Sequence, residues 1–405
     1  MGRVATAGAV RRGRRAGVLA LLVVALAALT AGAGPAASVV MSPKSTPYGI
    51  TAGPDGNLWF TEVVPGRIGR ITPSGVVTEF SAGITRGSSP FDIAAGPDGN
   101  LWFTEADGDR IGRIDPAGAV IEFSAGITPH SRPAFITPGP DGNLWFTEAL
   151  GNRIGRITPS GAVTEFSSGI TERSGLNSIA AGPDGNLWFI EALGNRIGRI
   201  TPDGAVTEFS AGITLASTPA DITAGPDGNM WFTEVRANRV GRITPSGLVS
   251  EFTVGNSAGS EVGGITAGPD GSMWFTETRG NRVGRISTSG LVIEFSVRLS
   301  PGSLPALITA GPDGNLWFTE FGLGRIGRIT TSGAVNEFPH TARPANCAGY
   351  DWALARTTTL LGRARRALAS ANGEREKQRA RARRARLTAT RTRLTHLRAQ
   401  ACRLV

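Results

Sequence analysis

The sequence predicts an all-β fold, a seven-bladed β-propeller with four strands per 43-residue blade, followed by a C-terminal α-helical hairpin. Three observations predict it. Trp59, Trp102, Trp145, Trp188, Trp231, Trp274 and Trp317 recur at intervals of 43 residues. The surrounding text repeats with them, as I-T-A-G-P-D-G-N-L-W-F-T-E and then G-N-R-I-G-R-I-T-P-S-G-A-V-T-E-F. Finally, 56 Gly and 25 Pro make a fifth of the 405 residues turn-forming. That exceeds average usage of roughly an eighth but stays below the roughly quarter typical of disordered chains.

Each repeat divides into four short apolar stretches. In the third copy these cover residues 135–137, 144–148, 153–158 and 162–166. Between them lie Gly139-Pro140-Asp141-Gly142-Asn143, Gly151-Asn152 and Pro159-Ser160-Gly161, which preset or tolerate the backbone angles of tight hairpins. Ile, Val, Phe, Trp and Thr dominate the stretches and favour strand over helix. The second stretch, Leu-Trp-Phe-Thr-Glu, is apolar on both faces, as expected of a strand sandwiched between neighbouring blades. The seventh copy has its own fourth strand at 334–338, so closure needs no borrowed strand. Residues 38–41 could add a short latch; otherwise blade seven packs directly on blade one.

Three segments follow: a signal peptide at 1–37, the propeller at 38–345 and an Arg-rich helical tail at 346–405. The first carries Arg3, Arg11, Arg12, Arg14 and Arg15, an apolar run over 18–29 and small residues at 31–33 and 36–37, the plan of a secretory leader. Its 12-residue run falls short of the roughly 18–20 residues of a spanning helix, so export as a soluble protein is expected, with an uncleaved anchor as the alternative. The net charge of +10 averages unlike parts. Residues 34–350 carry 22 basic and 29 acidic side chains, whereas 351–405 carry 15 basic and three acidic. The body is therefore mildly acidic, and the overall charge does not mark it as a nucleic-acid binder.

In the tail, Leu354, Leu361 and Leu368 are spaced by seven, as are Leu387 and Leu394, with a break at Ala371-Asn372-Gly373. Two helices packed through leucine seams are expected. Cys347 and Cys402 bracket them, and in an exported protein such a pair suggests a disulfide, with two free thiols as the alternative. Fourteen Arg in 55 residues suit an anionic polymer, while the lack of aromatics beyond Trp352 argues against stacking on nucleic-acid bases. No sequence-specific nucleic-acid partner is expected, and the chain is expected to be monomeric.

A propeller's ligand site forms where loops of several blades converge on one mouth of the channel. Tyr48 and Glu62 are equidistant from the turn at Asp55, which makes them cross-strand neighbours at the hairpin's open end. By repetition, Glu62, Glu105, Glu148, Glu191, Glu234, Glu277 and Glu320 form a ring of carboxylates. Opposite them stand the lead-in residues Tyr48, Phe91, Ala134, Asn177, Ala220, Gly263 and Ala306. One reading is a polar, metal-capable rim for an unidentified small molecule or peptide. The other is that a Glu common to all seven copies is structural, paired with an Arg of the Arg-x-x-Arg third strand.

The W-F-T-E strand, the G-N-R-I-G-R-I-T strand and the P-x-x-I-T-x-G lead-in resemble the streptogramin B lyase family, also called virginiamycin B lyases, over residues 44–340. The resemblance implies a seven-bladed propeller that linearises a cyclic depsipeptide antibiotic by elimination at its ester, using a histidine base and a magnesium ion. It places a metal carboxylate on the Glu of W-F-T-E and the histidine at the lead-in position opposite, late in the chain. The matched pairs are Gly263 with Glu277 and Ala306 with Glu320, and neither contains His. None of the seven lead-in residues is His; His130 precedes the third blade, His340 follows the last strand and His396 belongs to the tail. Gly and Ala cannot accept a proton, which leaves His130 as the candidate base on a connector. The expected function is binding of a ligand or partner without lyase chemistry. The alternatives are an active magnesium-dependent carbon–oxygen lyase and an envelope protein acting through its Arg-rich tail.

Overall fold

A computed structural model describes residues 37–38, 45–255, 259–295, 299–338, five helical positions from 357 to 368, and 374–402. Residues 1–36 of the expected 1–37 leader lie outside the described residues, as do Cys347 and the side chain of Cys402.

Blade one comprises β2 (Pro47–Ala52), β3 (Leu58–Glu62), β4 (Arg67–Ile71) and β5 (Val77–Phe80). β1 (Ala37–Ser38) adds a fifth strand on its outer edge, pairing with β5 through Ala37–Thr78 and Ser38–Val77. β6 to β25 (residues 90–295) build blades two to six in the same order. Blade seven is β26 (Pro305–Ala310), β27 (Leu316–Glu320), β28 (Arg325–Ile329) and β29 (Val335–Phe338). All seven sheets are antiparallel meanders whose first strand is innermost. The latch therefore extends one blade and joins no two blades together.

The second strand of every blade is buried along its whole length. Its Trp is held from three sides. In blade one Trp59 stacks on Phe80 at 5.2 Å, Arg70 lies 5.4 Å over its ring, and its indole N–H donates to Asp55 Oδ1 at 2.9 Å. Asp55 also faces Arg70 at 3.5 Å. Arg70 then donates to the Pro116 carbonyl of blade two at 2.9 Å, so one guanidinium covers a core aromatic and ties two blades together. The same unit recurs round the ring, with Trp–Phe centroid distances of 5.1–5.5 Å. The second Arg of R-x-x-R is thus a structural partner, and the first pairs outward with the fourth strand, as Arg67 does with Glu79 at 2.6 Å.

The blades also require one close backbone approach. Gly161 has φ +95°, and a Cβ there would lie 2.4 Å from the Phe123 ring of the preceding blade. Its counterparts Gly75 and Gly333 meet Phe338 and Phe295 in the same way.

In the tail, α1 (Glu374–Cys402) is a 29-residue helix. Thr357, Leu360, Leu361, Ala364 and Leu368 are helical before the expected break, and the residues between them lie outside the described set. Among the described residues no helix is long and apolar enough to cross a membrane.

Candidate functional site

The inner strands bring the variable residues together. In five blades the threonine of the second strand clasps the lead-in residue of the next blade, whereas blade four carries Ile190 there: Thr61 Oγ1 donates to the Phe91 carbonyl at 2.8 Å while accepting the Gly49 N–H at 2.9 Å. Thr104 holds the Ala134 carbonyl, Thr233 that of Gly263 and Thr276 that of Ala306. Thr319 closes the circle on the Tyr48 carbonyl at 2.9 Å. Side chains that differ between blades are thus set on a backbone that hardly differs.

They enclose a cavity of about 410 Å³. One wall is apolar, formed by Tyr48, Phe135, Leu304, Leu307 and Phe321. The other is polar, formed by Asn177, Asp221, Glu261 and Thr278, with Ala220, Gly263, Gly264 and Ala306 leaving room between. Phe91 stands behind the apolar wall, buried, with its ring 4.4 Å from that of Tyr48 and 5.5 Å from that of Phe135. Among the described lining residues there is no Arg, Lys or His, whereas there are two carboxylates. Asp221 accepts from Ser178 Oγ at 2.6 Å and from the backbone N–H of Ile265 at 2.8 Å, so it also joins adjacent blades. Burial raises its pKa. Asp92, the equivalent residue of blade two, is pushed up to about 7, mainly by burial, against two backbone donors and with the charge of Asp221 adding to the rise. Glu261 pairs with Arg279 at 2.9 Å.

Of the residues singled out from the sequence, Tyr48, Asn177, Ala220, Gly263 and Ala306 line this cavity and Phe91 backs it. The glutamates are placed elsewhere. Glu62, Glu105, Glu148, Glu191, Glu234, Glu277 and Glu320 are fully buried one strand further from the channel and line no part of the cavity. Their register is also shifted. A bulge between Pro47 and Ile50 puts Pro47, not Tyr48, opposite Glu62, and the same bulge recurs in all seven blades. The extra residue turns the lead-in side chain toward the channel while Glu stays with Leu58 and Phe60 on the blade's inner face. Ser45 Oγ donates to Glu62 and Ser88 Oγ to Glu105, each at 2.6 Å. Arg pairing of the ring is seen at Glu191, 3.2 Å from Arg196 Nε. Burial, with repulsion from the fourth-strand glutamate, pushes Glu62, Glu105 and Glu148 up to about 8. Glu191 and Glu234 rise to about 7, Glu277 to about 6, and Glu320 well above the usual range.

The magnesium ion implied by the resemblance requires several converging oxygen ligands. Among the described residues no three His, Cys, Asp or Glu are grouped to hold a metal ion. Glu277 and Glu320 are sealed inside their blades, so the donor set presented does not fit the ion.

His130 is 96% exposed, 3.9 Å from Asp109, and is not among the lining residues. His340 lies outside the described residues, as does the side chain of His396 in α1. The lead-in position of blade six is crowded: a Cβ on Gly263 would stand 2.8 Å from the hydroxyls of both Thr276 and Thr278. Thr276 is already committed to the Ala306 carbonyl and the Gly264 N–H, and Thr278 to the Pro305 carbonyl.

Sequence reasoning missed Asp221, Glu261, Thr278, Leu304, Leu307 and Phe321. A signal was present. The column Gly49, Asp92, Phe135, Ser178, Asp221, Gly264, Leu307 varies as widely as the lead-in column beside it. So does Val63, Ala106, Ala149, Ala192, Val235, Thr278, Phe321.

Fold and site together define a closed seven-bladed propeller with a two-sided cavity among its inner strands. Comparison with known proteins places it more narrowly. The model of the Virginiamycin B lyase family matches residues 24–212 and 168–354. The virginiamycin B lyase of Staphylococcus aureus is 36% identical, over 71% of this chain and 96% of that one, with a TM-score of 0.65. Its catalytically inactive histidine-to-alanine form, solved with quinupristin, is 37% identical over 69% of this chain and 94% of that one, with a TM-score of 0.65. A curated relative, virginiamycin B lyase of Saccharopolyspora erythraea, is 59% identical over 39 residues, a stretch that is 10% of this chain and 13% of that protein. The chain belongs to the virginiamycin B lyase family.

Proposed function

We propose that this chain is a binding member of its family, exported through its N-terminal leader, that takes a small peptide or depsipeptide at the propeller mouth and does not cleave it. One observation carries the reading: among the described residues no imidazole lines the cavity, and at Gly263 the space for a side chain is filled by two hydrogen-bonded threonine hydroxyls. Elimination beside an ester carbonyl needs a positioned base with a pKa near the working pH. Gly and Ala at the lead-in positions offer none. The histidine-to-alanine form of the S. aureus relative is likewise inactive and was solved with quinupristin, which supports separating binding from turnover in this fold.

The walls indicate the ligand's character. Tyr48, Phe135 and Phe321 offer an aromatic face, and Asn177, Asp221 and Glu261 offer mainly acceptors. A suitable ligand presents an aromatic or aliphatic side chain to one side and N–H or O–H donors to the other. Titration calorimetry with quinupristin as the probe tests this. Saturable binding is expected, weakened about tenfold or more by Phe321→Ala, in line with the roughly 1.5–3 kcal/mol released by burying such a side chain. His130→Ala should leave it unchanged. Absence of saturable binding, or binding indifferent to Phe321, contradicts the reading.

A further inference from the structure

We infer that α1 is a second binding site, independent of the propeller mouth, for a flexible phosphodiester polymer. The helix contains nine Arg and one Lys against two Glu, and both acids lie in its first three residues. From 377 to 402 no acid interrupts the positive charge. Twenty-nine residues at 1.5 Å each give a rod of about 43 Å.

Over residues 381–386 the helix is solvated on every face, between buried Ala380 and half-buried Leu387. The six consecutive residues 381–386 are all exposed, and six residues at about 100° each pass fully round the helix. Arg381, Arg384 and Arg391 project on one side, and Arg383 and Arg386 on the other. Between them stand Ala, Thr and the half-buried Leu387. Thr388, Thr390 and Thr392 turn their hydroxyls back onto the carbonyls of Arg384, Arg386 and Thr388, and so present methyl groups rather than hydrogen-bonding groups outward. Like charges three and four residues apart oppose a helix by a few tenths of a kcal/mol per pair. A polyanion removes that repulsion and releases its own counterions.

The kind of polyanion follows from the rest of the surface. A bilayer meets one face only and rewards an apolar stripe, which the exposed run 381–386 lacks. Base readout or stacking needs aromatic side chains, and α1 has none. A stiff duplex can lie against only one of the two arginine faces at a time. A flexible chain can wrap both arginine faces and keep its phosphates there. The planar guanidinium fork suits phosphate oxygens better than lysine does.

The test uses the full-length protein and fluorescently labelled synthetic poly(glycerol phosphate), followed by anisotropy as salt is raised from about 50 to about 200 mM. Binding is expected, with affinity falling steeply with salt. A variant with Arg381, Arg383, Arg384, Arg386 and Arg391 all changed to Gln should bind at least tenfold more weakly, with a shallower dependence on salt. The matching Lys variant should keep the salt dependence, which separates lost charge from lost helix. Undiminished binding by the Gln variant, or loss of binding by the Lys variant, overturns the inference. So does tighter binding to duplex DNA or to phosphatidylglycerol vesicles at equal phosphate concentration. Quinupristin binding is a separate readout, and neither variant should change it.

Discussion

Arg328 in blade seven donates to the carbonyl of Pro73 in blade one at 3.0 Å, the same bond that Arg156 makes to Pro202 at 3.0 Å between blades three and four. The ring is thus closed by the contact used inside it, with Thr319 on the Tyr48 carbonyl and Phe338 against Gly75 completing the match. Arg328→Met should cost about 2 kcal/mol in urea unfolding, the range for a hydrogen bond from a charged donor. Arg156→Met should cost about the same. A clearly smaller loss at Arg328 would mean that the seam between blades seven and one is looser than the others.

Glycine substitutions separate backbone strain from crowding. Gly142 has φ +75° with nothing within 4 Å of a Cβ, so Gly142→Ala should cost only about 1 kcal/mol. Gly161 adds a Cβ 2.4 Å from the Phe123 ring, so Gly161→Ala should cost about 3 kcal/mol once the overpacking is included. Thermal melts of the two variants should differ by several degrees in that order.

The buried glutamates set a pH dependence. Glu62, Glu105 and Glu148 keep their protons up to about pH 8 in the folded chain, because burial disfavours the carboxylate. Unfolded, each ionises near its ordinary pKa of about 4.3. The unfolded chain therefore binds fewer protons between those values, and stability falls as pH rises from about 4 through 8. Glu148→Gln keeps the shape and removes the titration. It should raise the midpoint of urea unfolding at pH 8 relative to the native chain and change it little at pH 5. An equal effect at both pH values would show that Glu148 is ionised in the folded state.

The propeller was legible in the sequence because its determinants are local and repeated. Trp59 needs Asp55 four residues before it and Arg70 across one strand, and all three recur every 43 residues. The mouth was partly legible: Tyr48 and Asn177 were reached by counting from the turn at Asp55. Counting failed for Glu62 because the bulge between Pro47 and Ile50 adds a residue on one strand only. Nothing in the pattern marks that residue, since Pro, Leu and Val all occupy the position facing Glu. Asp221 and Glu261 escaped notice because each sits in a column whose other members are apolar or small in several blades.

Mass spectrometry of purified protein incubated with quinupristin and magnesium most directly tests binding without turnover. The expected result is intact cyclic depsipeptide after prolonged incubation, at protein concentrations where calorimetry shows the mouth to be saturated. Accumulation of the linear product, lost on Glu277→Ala or Glu320→Ala, would contradict it and return this propeller to the lyases.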